Sequence, residues 1–320
     1  MRQLIFCGAL VLASLWGSQV RAQGADFPNK PIRMLVPFAV GSGADSSARA
    51  LAEHMQRSLG QAVMVENRPG ASGAVAAMAI KQAPADGYSI MVGSNSPMSV
   101  NPIVVKNLGY DPLKEFKAVH GIGRSQNIWY VANESPVKTM NDLAALARTR
   151  PLNIGSYSAG YQLAMEWVAL LSKGKLIYVP YKGQAQAVND VIGRQLDAAL
   201  GDLGGALPLV QSGKMRAIAV SGENRHPALP NVPTLREIWP EYINYSWTAL
   251  WVRTETPADV HAKLVSAVNR AMRTPEMTRY FEIQGSEPMY NSGPVEMGRY
   301  QLDEYQRFKV IADAVGIKPE

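Results

Sequence analysis

From Ile32 onward the chain alternates short apolar segments with amphipathic ones, and this alternation limits the fold more than any other feature of the sequence. The segment KPIRMLVPF at 30–38 reads as a strand. From Ala44 the apolar residues Ala44, Ala48, Leu51, Ala52, Met55 and Leu59 form one helical stripe, which Gly60 stops. QAVMVEN at 61–67 is a second strand, RPGASG at 68–73 a turn, 74–83 a helix of small residues, and YSIMVGS at 88–94 a third strand. Strands regularly separated by helices favour a mainly parallel sheet with helical cover, an α/β fold.

The alternation resumes near Asn127 with NIWYVAN, a helix over 139–149, the strand LNIGS, and a helix carrying Leu163, Trp167, Leu170 and Leu171 on one face. KLIYVPY, GQAQAVNDVIGR, LDAALGD, a short helix over 204–212 and MRAIAVSG continue it. A Pro- and Asn-rich stretch, 222–245, then leads to YSWTALWVR and to helices over 257–272, 274–284 and 294–314. This order predicts two α/β lobes, 23–125 with 246–320 and 126–245, the stretch 222–245 being a return crossing. Lobes joined by more than one crossing form a hinged cleft, where ligands of such proteins lie.

The first residues are of another kind. Arg2 precedes an apolar run from Leu4 to Trp16, and Val20-Arg21-Ala22 has the small-residue character of a cleavage site. The run is too short to span a bilayer, so 1–22 is expected to be a cleaved secretory signal and the mature chain to be exported to a periplasm. Cys7, the one cysteine, lies in it. The mature chain therefore has no disulfide, thiolate nucleophile or cysteine metal site. Arg2 and Arg21 belong to the signal as well, and without them 30 basic residues oppose 26 acidic ones, scattered and without runs. Nucleic-acid binding has little support; a mild positive field favours small anions.

Two turns stand out. In PFAVGSGAD, Ser42 and Asp45 have capping-box spacing at a helix start, a routine feature by itself. GSYSAGYQLAME at 155–166 repeats the strand-to-helix junction and offers Ser156, Ser158 and Gly160. A helix N-terminus presents unpaired N–H donors and a partial positive charge, and Gly with Ser lets a carboxylate reach the backbone. One such turn per lobe suits an anionic ligand. Asp45 would repel a carboxylate, so it either orients its loop or takes a ligand amine or hydroxyl. Asp202, ending LDAALGD, is a similar candidate, with a surface turn residue as the alternative.

The segments FPNKPIRMLVPFAVGSGADSSAR, VMVENRPGASG, YDPLKEFKAV, VPYKGQAQAVNDVIGRQLDAAL, KMRAIAVSG, LPNVPTLREIWP and ADAVGIKPE together resemble the periplasmic receptors of tripartite tricarboxylate transporters, the Bug family. The resemblance covers the mature chain. It implies a type II periplasmic binding protein, a monomer without cofactor or metal, that closes on a small organic acid and delivers it to membrane permease subunits. The family holds a ligand carboxylate through loops matching Ala39 to Asp45 and Ser156 to Tyr161. With the residues flanking these loops, the expected ligand-binding residues are Phe38, Ala39, Val40, Gly41, Ser42, Gly43, Asp45, Ser156, Tyr157, Ser158, Ala159, Gly160, Tyr161 and Gln162, joined by Asp202 at its strand end and by Trp247, which lies in the strand returning across the hinge and either lines the cleft or belongs to the core. Two departures matter. Gly41-Ser42 stands where the family usually has adjacent glycines, and Tyr161-Gln162 where many members have Ser or Thr followed by His. Gln162 is neutral, which favours a mono- or dicarboxylate over a tricarboxylate, with a bulky or aromatic body accommodated by Tyr157, Tyr161 or Trp247.

Two rival functions follow from the same residues. A loaded receptor could present itself to a signalling protein instead of a permease. The other is a serine esterase: Ser156-Tyr157-Ser158-Ala159-Gly160 approaches a G-x-S-x-G nucleophile turn, but its first glycine is missing and only His226 and His261 follow it. His54, His120, His226 and His261 have no metal-ligand spacing, and no P-loop, dinucleotide fingerprint or H-E-x-x-H occurs.

Overall fold

The computed structural model describes residues 27–319; the expected signal, 1–22, lies outside them. Strand β1 (Ile32–Val36) lies between β2 (Val63–Asn67) and β3 (Ser89–Ser94), all parallel, with helices α1 (Gly43–Leu59) and α2 (Ala74–Gln82) as the crossovers. Gly60 ends α1 in the left-handed conformation, φ 67°, its N–H bonded to Gln56 O. Beyond β3 a π-helical turn at Ser96–Val100 leads into the short α3 (Asn101–Val104).

The next strand, β4 (Phe116–Ala132), is 17 residues long and belongs to both halves of the sheet. Over 116–126 it pairs antiparallel with β9 (Tyr245–Arg253), and over 127–132 with β7 (Ala198–Asp202) and β8 (Met215–Val220). The sequence pattern predicts only its second part. In FKAVHGIGRSQ, glycines and polar residues interrupt the apolar run, and the pairing with β9 shifts register around Val119 and Ile122.

The second half repeats the βα pattern with α4 (Met140–Thr149), β5 (Leu152–Ser156), α5 (Ala159–Ser172), β6 (Leu176–Pro180), α6 (Gln184–Ile192) and α7 (Leu203–Gln211). Strand β5 is parallel to both β6 and β7. The chain returns from Ser221 to Asn244, enters β9 and finishes with α8 (Ala258–Met272), α9 (Pro275–Gln284), the two-residue β10 (Glu287–Pro288) and α10 (Pro294–Val315). The sheet order is β2-β1-β3-β9-β4-β7-β5-β6, with β8 and β10 also paired to β4. The sheet is thus mixed: two parallel triplets are joined through antiparallel β9 and β4, because β9 returns from the opposite end.

The α1 stripe meets α8 and α9, so Ala48, Leu51 and Met55 are buried completely with Leu264 and Val268. Leu51→Ala is expected to cost about 2–5 kcal/mol in urea unfolding, the usual range for emptying a core leucine site. Among the described residues no helix is long and apolar enough to cross a membrane.

Candidate functional site

Helices α1 and α5 begin on opposite sides of one cavity. Ser42 caps α1, its hydroxyl accepting from Asp45 N at 3.3 Å. Asp45 does not close the box on Ser42; its carboxylate accepts from Gly41 N at 3.0 Å, from Asn67 Nδ2 at 2.9 Å and from Arg49 at 3.0 Å. Gly41 is left-handed at φ 83°, which turns its N–H back to that carboxylate. Asp45 is buried and holds the loop. Gly43 and Ala44 keep N–H groups without acceptors among the described residues, as the first turn of a helix must unless something caps it.

Burial alone would raise the Asp45 carboxyl, but Arg49, Gly41 N–H and Asn67 outweigh it and hold it below the usual 3.8. A carboxyl depressed on folding stabilises above its unfolded value, and this contribution disappears as pH falls through the folded value. The melting temperature of the wild type is therefore expected to fall below about pH 4 more steeply than that of Asp45→Asn, as scanning calorimetry at stepped pH would record.

At α5, Ser158 occupies the cap position without capping through its side chain. Two hydroxyls from the other half serve instead: Ala159 N donates to Ser72 Oγ and Gly160 N to Ser96 Oγ, both at 3.0 Å. Tyr161 N has no acceptor among the described residues. The α5 terminus is thus partly satisfied by the opposing half, which ties the two halves together.

Asp202, at the junction of β7 and α7, accepts from the hydroxyls of both Tyr157 and Tyr161. Its main chain is clamped by Gln184, which donates to Asp202 O at 2.9 Å and accepts from Asp202 N at 3.1 Å. Burial, with the Asp202 charge beside them, pushes both phenols well above 10, so they stay protonated and donate. Asp202 also reaches across to α1: a Cβ on Gly43 would lie 2.8 Å from Asp202 Oδ2. Tyr161 Oη is 2.9 Å from Ser246 Oγ, and Asn127 Nδ2 donates to Ser246 Oγ at 2.6 Å, extending the polar network into β9 and β4.

The cavity leaves about 90 Å³ for the centres of water molecules. Of the residues expected from sequence, Phe38, Gly43, Tyr157, Ser158, Gly160, Tyr161, Asp202 and Trp247 line it. Phe38 meets Tyr157 edge-on across the halves, ring centroids 5.6 Å apart. The others do not line it. Ala39 sits where a Cβ on Gly183 would be 3.1 Å away, Val40 is 69% exposed, and Gly41, Ser42 and Asp45 bond one another within their loop. The Ser156 hydroxyl donates to Leu200 O at 2.6 Å, Ala159 N is taken by Ser72, and Gln162 N continues the helix by donating to Ser158 O. Trp247 is 1% exposed, and its Nε1 donates to Glu304 at 3.2 Å.

Sequence reasoning missed much of the polar lining: Asn95, Ser96, Arg124, Asn127, Ser246 and Gln284. Asn95 donates to Tyr245 O at 2.8 Å and accepts from Trp247 N at 3.0 Å, and so fixes β9 beside the cavity. A usable signal existed in GRSQN at 123–127, a polar run inside an otherwise apolar strand, which a buried strand does not tolerate without partners. The histidines are dispersed. His226 accepts from Ala228 N and bonds Gly285 O, His261 bonds Ala118 O, and no histidine is bonded to Ser158. Among the described residues no group of acids and histidines could hold a metal ion.

Two α/β halves around one cavity of aromatic and polar residues, joined by β4 and by the return segment, have the architecture of a solute-binding protein. The family model described as tripartite tricarboxylate transporter family receptor matches residues 47–317, and the chain belongs to that family, whose members are periplasmic binding proteins rather than enzymes. A UPF0065 protein of Bordetella bronchiseptica is 30% identical over 93% of this chain and 89% of its own. BugT of Bordetella pertussis is 28% identical, covering 91% of each chain. Among solved structures, the periplasmic binding protein BugD superposes with a TM-score of 0.88 at 27% identity, over 92% of this chain and all of that one. A Rhodopseudomonas palustris protein solved with adipate gives 0.87 at 31% over 92% of this chain and 100% of its own. MatC of the same organism, with bound malate, gives 0.84 at 27% over 90% and 100%.

Proposed function

We propose that the protein captures a small organic acid, a mono- or dicarboxylate, between its two halves and delivers it to the membrane permease subunits of a tripartite tricarboxylate transporter. One observation carries this reading: the first-turn N–H groups of α1, at Gly43 and Ala44, and the Tyr161 N of α5, without acceptors among the described residues, belong to helix starts that border one cavity. Backbone donors at helix starts suit a carboxylate without requiring a cation. The adipate and malate found in two family neighbours support an acid of this size. The aromatic wall of Phe38, Tyr157, Tyr161 and Tyr280 adds room for an apolar or aromatic body.

In this account residues 23–125 with 246–320 move as one lobe and 126–245 as the other. The ligand shifts the balance toward the closed arrangement by the difference between its affinities for closed and open forms. Protein-only contacts between the halves, Ser72 and Ser96 on α5 and His226 on Gly285 O, favour the closed form further. Residues 1–22 act as the export signal, and the receptor works as a monomer in the periplasm. A thermal-shift screen of mono-, di- and tricarboxylic acids, aromatic ones included, tests the reading. At least one acid is expected to raise the melting temperature and to bind with one-to-one stoichiometry in calorimetry; a panel without any response contradicts it.

A further inference from the structure

We propose that Arg307 on α10, outside the cavity, is a positioning residue for ligand binding: it sets the direction of a hydrogen-bond chain that runs across both connections between the halves and ends on Asp202. This rests on the reading of the cavity as the ligand site. No described residue of α10 lines the cavity, whereas Asn127, Asn244, Ser246, Tyr161 and Asp202 all do.

The two ends of the chain fix its sense, because a guanidinium only donates and a carboxylate only accepts. Arg307 uses four of its five donors: Nε and Nη2 bond the two oxygens of Glu304 at 2.8 and 3.0 Å, Nη1 bonds Ile243 O at 3.2 Å, and Nη2 also bonds Asn244 Oδ1 at 3.1 Å. With its oxygen turned to Arg307, Asn244 offers Nδ2 to Asn127 Oδ1 at 2.7 Å. Asn127 is thereby turned so that its own Nδ2 donates to Ser246 Oγ at 2.6 Å. Ser246 Oγ lies 2.9 Å from Tyr161 Oη, whose proton goes to Asp202, so Ser246 is the donor at that step.

The main chain at the crossing is fixed independently. Asn127 N donates to Ser221 Oγ at 2.7 Å, Ser221 N to Asn127 O at 3.0 Å and Asn244 N to Ser221 O at 3.0 Å. What Arg307 decides is therefore the orientation of two side-chain amides, each of which has two orientations of nearly equal shape. Both asparagines are buried, so solvent offers them few other partners. Without Arg307 the whole chain can run the other way. Asn127 would then donate to Asn244 and Ser246 to Asn127, while Tyr161 would turn its proton to Ser246 and leave Asp202 with Tyr157 alone. From outside the cavity, Arg307 thus keeps Tyr161 bonded to Asp202 and the wall between the halves in one arrangement.

The test combines NMR of the ligand-free protein with calorimetry, using succinate, suberate and benzoate as probe acids. Arg307→Met removes every donor and is expected to move the side-chain amide signals of Asn127, which Arg307 does not touch, and to weaken the tightest probe about 10-fold. Arg307→Lys still only donates, and should return the Asn127 signals toward their wild-type positions and the affinity to within about threefold. In a Ser246→Ala background, where the chain is already cut, Arg307→Met should cost no further affinity. Unmoved Asn127 signals in folded Arg307→Met, a lysine variant as weak as the methionine one, or full additivity with Ser246→Ala overturns the proposal while leaving the acid reading intact. Should Arg307→Met fail to fold, Arg307→Gln, whose amide can face either way, takes its place with the same expected results. If none of the three acids binds the wild type, the acid reading loses its support and the Asn127 signals alone decide whether Arg307 sets the chain.

Discussion

Gly43→Val is expected to weaken acid binding by about 10- to 100-fold, the 1–3 kcal/mol that overpacking a tight contact costs. Gly43 opens α1 with an unpaired N–H, and even a Cβ there would lie 2.8 Å from Asp202 Oδ2 on the other half. The carboxylate cannot simply swing aside, because Tyr157 and Tyr161 both donate to it and Gln184 pins its main chain. The branched side chain therefore penalises the closed arrangement and also shields the first-turn amides from an incoming carboxylate. Opening the cleft removes the clash, so the melting temperature without ligand should remain near that of the wild type. Calorimetry and thermal denaturation of the same preparation separate the two effects; an unchanged dissociation constant would remove the α1 loop from the site.

Asp202→Ala is expected to lower stability by about 2–4 kcal/mol, from one to three for each buried donor left without its acceptor. Two phenols are affected, and both are held protonated by burial and so remain donors that need an acceptor. Their contact with one another, and that of Tyr161 with Ser246, recovers part of the loss. Asp202→Asn should be milder, since its Oδ1 still accepts from one tyrosine. Urea unfolding of the two variants supplies the comparison. If alanine costs no more than asparagine, the tyrosines do not depend on this carboxylate.

The βα alternation was legible because each helix has one buried face: the stripe from Ala44 to Leu59 and its Gly60 stop appear in the structure where the spacing puts them. The mixed character of the sheet was not legible, since a strand does not announce its direction, and β9 becomes antiparallel only by returning from the other half. The first part of β4 was hidden for a different reason. Gly121 and Gly123 leave room for Ser292, Met289 and Phe281 packed against the strand, so residues that read as loop formers serve close packing. The glycine and serine turns pointed to the cavity, yet the hydroxyls that reach the α5 amides come from Ser72 and Ser96, 87 and 64 residues away in sequence. Ser246 was hidden, because it is an isolated polar residue between Tyr245 and Trp247, and the polar run at 123–127 signalled a need for partners without saying which, since those depend on β4 and β9 crossing between the halves.

The most direct measurement is a crystal structure with the best acid from the screen bound. It should place one carboxylate within hydrogen-bond distance of the Gly43 or Ala44 N–H and of the start of α5, with both halves in contact with the ligand. An acid found on an outer surface, or touching one half alone, would contradict the claim that this protein works by enclosing its ligand between two helix termini.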